Sequence, residues 1–153
     1  MLRLLFLTLP LLFGQPATSS AWSAAIDPDQ PNATSVHWTI TLSATYCGGY
    51  AIGDGLFIQP EAPLSLPDPV PPEAVLFAGQ AADVSLQNGI LRVAPSPLLA
   101  QSMVCMQGDR PFTIELLPSL GMTNPDAGTY TVDVWKSSTG GPVQLPIVVG
   151  ASP

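Results

Sequence analysis

Charged residues are scarce in this sequence. They make up 10% of its 153 residues, and only Arg3, Arg92, Arg110 and Lys136 are cations, against a usual charged fraction of ~25%. With eleven carboxylates the formal net charge is −7. Phosphate-rich partners are gripped by clusters of Lys and Arg, so nucleic acid and anionic membrane surfaces are excluded as ligands. There is one histidine, His37, and there are two cysteines, Cys47 and Cys105. Together they fall short of the four ligands of a structural zinc site, and no cofactor or metal is expected. A Ser/His/Asp triad would have to be built on His37, which falls on the polar side of its segment, and no Gly-x-Ser-x-Gly elbow occurs. Glu61, Glu73 and Glu115 are the only glutamates, and nothing in the sequence brings two of them across a cleft, as glycoside hydrolysis requires. The chain is therefore not expected to be an enzyme. Long amphipathic helical periods are also missing, which argues against an α/β architecture.

What is present begins with an apolar run from Leu4 to Phe13, preceded by Arg3 and followed by small residues at Ser19, Ser20, Ala21, Ser23, Ala24 and Ala25. This is the pattern of an export signal. The run is about half the ~20 residues a spanning helix needs, and Pro10 interrupts it. Residues 1–25 are thus expected to be removed, with Trp22, Ala24 or Ile26 as the mature start. Residues 26–34 then form a flexible mature terminus, and 35–150 a single domain, secreted or periplasmic and not inserted in a membrane. In that compartment Cys47 and Cys105 are free to oxidise, and a structural disulfide between them is the expected pairing. A catalytic thiol would want a base beside it.

From Ser35 to Tyr46 the chain alternates, with Val36, Trp38, Ile40, Leu42 and Ala44 on one side and His37, Thr39, Thr41 and Ser43 on the other. Such a period of two marks a half-buried strand. Further strands are expected at 56–59, 74–77, 82–86, 90–93, 112–117, 128–137 and 143–149. Asn88-Gly89 is the strongest hairpin signal, because both residues accept the positive φ of a type I′ turn. The six prolines between Pro60 and Pro72 remove ladder donors and point to a loop or sheet edge. About eight strands with turn signals every 8–12 residues indicate an all-β antiparallel sandwich.

The segment Gly121-Met122-Thr123-Asn124-Pro125-Asp126-Ala127-Gly128-Thr129-Tyr130-Thr131-Val132-Asp133-Val134 resembles the closing part of immunoglobulin-like β-sandwich modules in secreted and cell-surface proteins of bacteria and archaea. The resemblance implies an immunoglobulin-like fold and an extracytoplasmic location, and it carries no catalytic residue. Within the segment, Asn124-Pro125 sets a turn, Gly128 relieves a crowded or bulged position, and the Tyr130 hydroxyl is expected to find a backbone carbonyl.

Aromatic residues are the best candidates for ligand contact. Trp38 lies on the apolar side of its strand and Tyr130 belongs to the turn motif, whereas Trp135 shares a side with Thr131 and Asp133, and Tyr50 sits among glycines. Trp135 and Tyr50 are therefore the candidate stacking residues. Asp27, Asp29, Asp54, Asp68, Asp109 and Asp126 fall in expected loops where calcium could gather oxygen ligands, but no Asp-x-Asp-x-Asp-Gly spacing occurs. Asn32-Ala33-Thr34 matches a glycosylation acceptor. The function these observations favour is a secreted, non-enzymatic module acting on an extracellular protein or polysaccharide surface, with a carbohydrate-binding module as the alternative.

Overall fold

A computed structural model of the protein describes residues 22–42, 55–96, 111–136 and 139–150. Ten strands are found among them: β1 (Ser23–Asp27), β2 (His37–Leu42), β3 (Leu56–Pro60), β4 (Val75–Phe77), β5 (Gln80–Ala81), β6 (Asp83–Gln87), β7 (Ile90–Ala94), β8 (Phe112–Leu116), β9 (Gly128–Lys136) and β10 (Thr139–Val149). They form two antiparallel sheets, ordered β1-β2-β8-β4-β5 and β10-β9-β3-β7-β6. The alternation of the sequence is what presses one sheet on the other. Trp38, Ile40, Leu42, Val75, Phe77, Ile114 and Leu116 of the first sheet share one core with Leu56, Ile58, Leu91, Val93, Val132, Val134, Leu145 and Ile147 of the second. Fully burying a side chain of this size stabilises the fold by about 1.5–3 kcal/mol.

The sheets are linked along both sides. On one side the strand expected at 82–86 is β6, and the two-residue β5 just before it belongs to the other sheet; buried Ala82 carries the chain across and donates its N–H to the Val75 carbonyl. On the other side the N–H of Gly150, just past β10, donates to the carbonyl of Asp29, just past β1.

The remaining connections gather at two ends. At the first, here the crossover end, Leu42 pairs with Phe112 in one sheet and Leu56 with Val93 in the other. The chain passes between the sheets through 43–54 and 97–110, and the described residues that flank those segments are paired in this way. At the opposite, clasped end lie 28–36, 61–74 and 117–127. Here Asn124, 2% exposed, donates through Nδ2 to the carbonyls of Pro28 (2.8 Å) and Gln30 (2.9 Å), while its backbone N–H donates to the Ala33 carbonyl. Val36 N–H donates to the Met122 carbonyl, and Thr34 bridges to Thr123. Leu64 and Val70 of the proline-rich stretch are buried, so that loop lies over the core.

Two expectations are corrected. Residues 26–34 are not a flexible terminus: Ile26 and Asp27 belong to β1, which pairs with β2 from Ser23↔Thr41 to Asp27↔His37, and the Asn124 bonds hold Pro28 and Gln30 just beyond the strand. The physical reason is a buried amide on a distant turn whose two donors need acceptors. Gly128 occupies no bulge, since it pairs in regular register with Val149; the register shift of this hairpin lies between Thr139 and Val143. A Cβ on Gly128 would meet the Tyr130 hydroxyl at 3.4 Å, an ordinary contact. The Tyr130 hydroxyl donates to the Asp126 carbonyl at 2.8 Å.

Candidate functional site

A strand buries alternate residues, so each sheet has an outward row of side chains. On the second sheet that row holds the aromatic residues. Trp135 of β9 is paired with Phe57 of β3, which is paired in turn with Arg92 of β7. The Phe57 and Trp135 rings stack with centroids 5.4 Å apart and planes 17° from parallel. Such a pair contributes about 0.5–1.5 kcal/mol beyond its burial and fixes both rings. Together with Ile90 and Arg92 they wall a shallow depression of about 290 Å³, rimmed by Ser85, Gln87 and Asn88. Arg92 Nη1 lies 3.6 Å from Asp83 Oδ2.

A second depression, about 280 Å³, lies further along the same two strands and is lined by Gln59, Pro60, Glu61, Thr131, Asp133 and Gln144. Asp133 stands between Gln59 of β3 and Gln144 of β10 in the register, and its Oδ1 is buried without a hydrogen-bond partner. Glu61 Oε2 accepts the Thr131 N–H at 3.2 Å. Two carboxylates thus line one depression, which the sequence did not indicate. Glu61 and Asp133 are brought together only by the pairing of β3 with β9, and no single-strand pattern reveals a register.

The outward row of the first sheet is different in kind: Thr39, Thr41 and His37 from β2, Thr113 and Glu115 from β8. His37 Nε2 is 3.3 Å from Glu115 Oε2, out of line for a hydrogen bond, and Thr113 Oγ1 donates to Glu115 Oε1 at 3.3 Å.

Of the residues singled out from sequence, Trp135 stands on the outer face with Phe57 as an unforeseen partner. Phe57 had a legible signal, since Leu56 and Ile58 on either side of it are the inward residues. Tyr50, Cys47 and Cys105 lie outside the described residues, as do Asp54 and Asp109. Trp38 is buried, and Trp22 packs against the core. Asp29 accepts from Gln30 Nε2 at 3.0 Å. Among the described residues no three His, Cys, Asp or Glu side chains gather as metal ligands. Asn32 is exposed in a turn at φ 58°.

No protein-family model matches the chain, and no curated protein sequence does. Solved structures are similar in fold. The crystal structure of BslA, a bacterial hydrophobin, matches with a TM-score of 0.52 and 19% identity, over 85% of this chain and 100% of that one. The wild-type C-terminal domain of the AgI/II polypeptide BspA of Streptococcus agalactiae matches with a TM-score of 0.40 and 13% identity, over 88% of this chain and 46% of that one. At 19% identity, what the chain shares with BslA is its fold, an all-β antiparallel sandwich.

Proposed function

We propose that the chain is an exported, non-enzymatic sandwich that acts by adsorbing at an extracellular interface, with its crossover end turned toward the apolar phase. The observation that carries this reading is a difference in side-chain content between the connections of the two ends: carboxylates without a cation in one set, and a net charge of −1 with eight large apolar side chains in the other. The segments joined at the crossover end, 43–54 and 97–110, contain three charged residues, Asp54, Asp109 and Arg110, and the apolar Tyr46, Tyr50, Ile52, Leu98, Leu99, Met103, Val104 and Met106. The connections of the clasped end contain five carboxylates, Asp29, Glu61, Asp68, Glu73 and Asp126, all exposed. A body wetted at one end and apolar at the other gains free energy at an air or lipid interface in proportion to the apolar area withdrawn from water. The likeness in fold to a bacterial hydrophobin supports the same reading.

Export is part of the proposal. β1 begins at Ser23 and pairs from there, so a leader ending at Ala21 leaves the strand whole, whereas ends at Ser23 or Ala25 remove paired residues. The mass of the secreted protein should correspond to a start at Trp22. Pendant-drop tensiometry of that protein tests the adsorption: surface tension should fall steadily and a film should form, and Leu98→Asp with Leu99→Asp should suppress both. A drop whose tension stays at the level of a non-adsorbing soluble protein overturns the reading. Turnover of an ester, peptide or glycoside substrate that a single-residue variant abolishes would overturn its non-enzymatic part.

A further inference from the structure

We infer that the outer face of the second sheet is a binding strip for a neutral polysaccharide. The inference rests on the export reading, since such chains are extracellular, and is independent of adsorption at the crossover end. Its first element is the ladder Arg92–Phe57–Trp135 across β7, β3 and β9, in which Phe57 backs the indole at 5.4 Å. A ring already fixed by its neighbour loses little freedom when the C–H face of a sugar stacks on it.

The second element lies two residues further along. Gln59, Asp133 and Gln144 stand side by side on β3, β9 and β10, so a carboxylate is flanked by two carboxamides. An amide both donates and accepts while a carboxylate accepts only, and that combination suits neighbouring hydroxyls, each of which does both. Asp133 Oδ1 is buried with no partner. Asp133 nonetheless lines the depression, so its carboxylate belongs to the strip's polar wall. Beyond it Thr131 and Glu61 continue the strip. From Trp135 to Thr131 the distance along the strand is roughly 14 Å, room for a short run of sugar rings. Asp133 and Glu61, together with a net charge of −7, repel uronate- or phosphate-bearing chains, and Arg92 is engaged with Asp83. A hydroxyl-rich, uncharged polymer is the occupant these groups fit.

Affinity electrophoresis of the purified exported protein, in gels cast with dextran, galactomannan, xyloglucan or laminarin and with alginate as the anionic probe, tests the inference. Retardation is expected in at least one neutral gel and not in alginate, accompanied by a change in tryptophan emission on titration with that glycan. Trp135→Ala should weaken the binding about ten-fold, a difference of about 1.4 kcal/mol. Gln144→Ala, at an exposed position on an edge strand where folding is not at stake, should weaken it measurably, while Thr41→Ala on the opposite face should leave it unchanged. No retardation in any neutral gel, retardation in alginate alone, or undiminished binding by both Trp135→Ala and Gln144→Ala overturns the strip. So does a wild-type dimer that Trp135→Ala converts to monomer, because the face would then be covered by a second copy. Film formation by Trp135→Ala should match wild type, which separates failure of the strip from failure of adsorption.

Discussion

The two ends of the sandwich join the same pair of sheets through connections of different side-chain content. At the clasped end the connections are tied to one another by hydrogen bonds. Asn124 spans from its turn to Pro28, Gln30 and Ala33, Asn32 N–H reaches the Pro125 carbonyl, and exposed carboxylates face water. At the crossover end, the paired residues Leu42↔Phe112 and Leu56↔Val93 flank two segments whose three charged residues sum to −1 and which carry Leu, Met and Tyr in pairs. Adsorption as proposed would require polarity to be sorted along the length of the molecule, while the core beneath is the same alternating pattern throughout. A fold can be amphiphilic in this way without exposing its core, because strand ends, unlike strand interiors, need not alternate.

The largest effect that could break this contrast belongs to the crossover end. Cys47 and Cys105 lie outside the described residues, in the two segments whose flanking residues are paired in both sheets. A disulfide between them closes a loop of about 58 residues, and reduction should remove roughly 4 kcal/mol in the chain-entropy model. Chemical unfolding with and without reductant measures it, and two free thiols in the unreduced, denatured protein would refute the pairing. The clasped end depends on its amide. Asn124→Asp would set a carboxylate oxygen against two carbonyl oxygens in a buried site and should cost about 3 kcal/mol. A thermal midpoint that does not move would mean that the clasp contributes nothing.

The same contrast explains what was legible in the sequence. Inward residues such as Trp38, Ile40 and Leu42 or Val132 and Val134 announce themselves by alternation, so the sandwich and most strands were readable. Asn88-Gly89 announced its hairpin, and its φ values of 53° and 76° are those of a type I′ turn. β1 was not readable, because Ser23-Ala24-Ala25 serves equally as a cleavage site and as a strand, and only the Asn124 amide, far along the chain, decides that the stretch beyond it is held. The outer face was half readable. Trp135 stood out by its side of the strand, but Phe57 became its neighbour, and Gln59 the neighbour of Asp133, only through the β3–β9 register.

Smaller effects sharpen the comparison. Gly128 opens β9 at the clasped end, and because a Cβ there meets Tyr130 at an ordinary distance, Gly128→Ala should be nearly neutral. Gly128→Val pushes its branches toward the Tyr130 ring and should cost about 1 kcal/mol, the lower end of overpacking. A loss several times larger, read from denaturant midpoints, would mean that the Tyr130–Asp126 hydrogen bond breaks with it.

The smallest effect compares the two hairpins directly, one at each end. Asn88-Gly89 joins β6 to β7 at the clasped end, and Ala78-Gly79 joins β4 to β5 at the crossover end with nearly the same dihedrals, φ 51° and 78°. An alanine held at positive φ is strained by the approach of its Cβ to the backbone, roughly 1–2 kcal/mol in the left-handed region. Asparagine tolerates that region better and keeps the Cβ that packs against the core here. Ala78→Asn makes the two turns alike and should raise stability by about 0.5 kcal/mol, part of the strain relieved. The measurement is a shift of the urea midpoint at constant slope. A lower midpoint would show that setting a carboxamide at this partly buried position costs more than the strained backbone of Ala78, so that an apolar side chain is favoured there even within a turn.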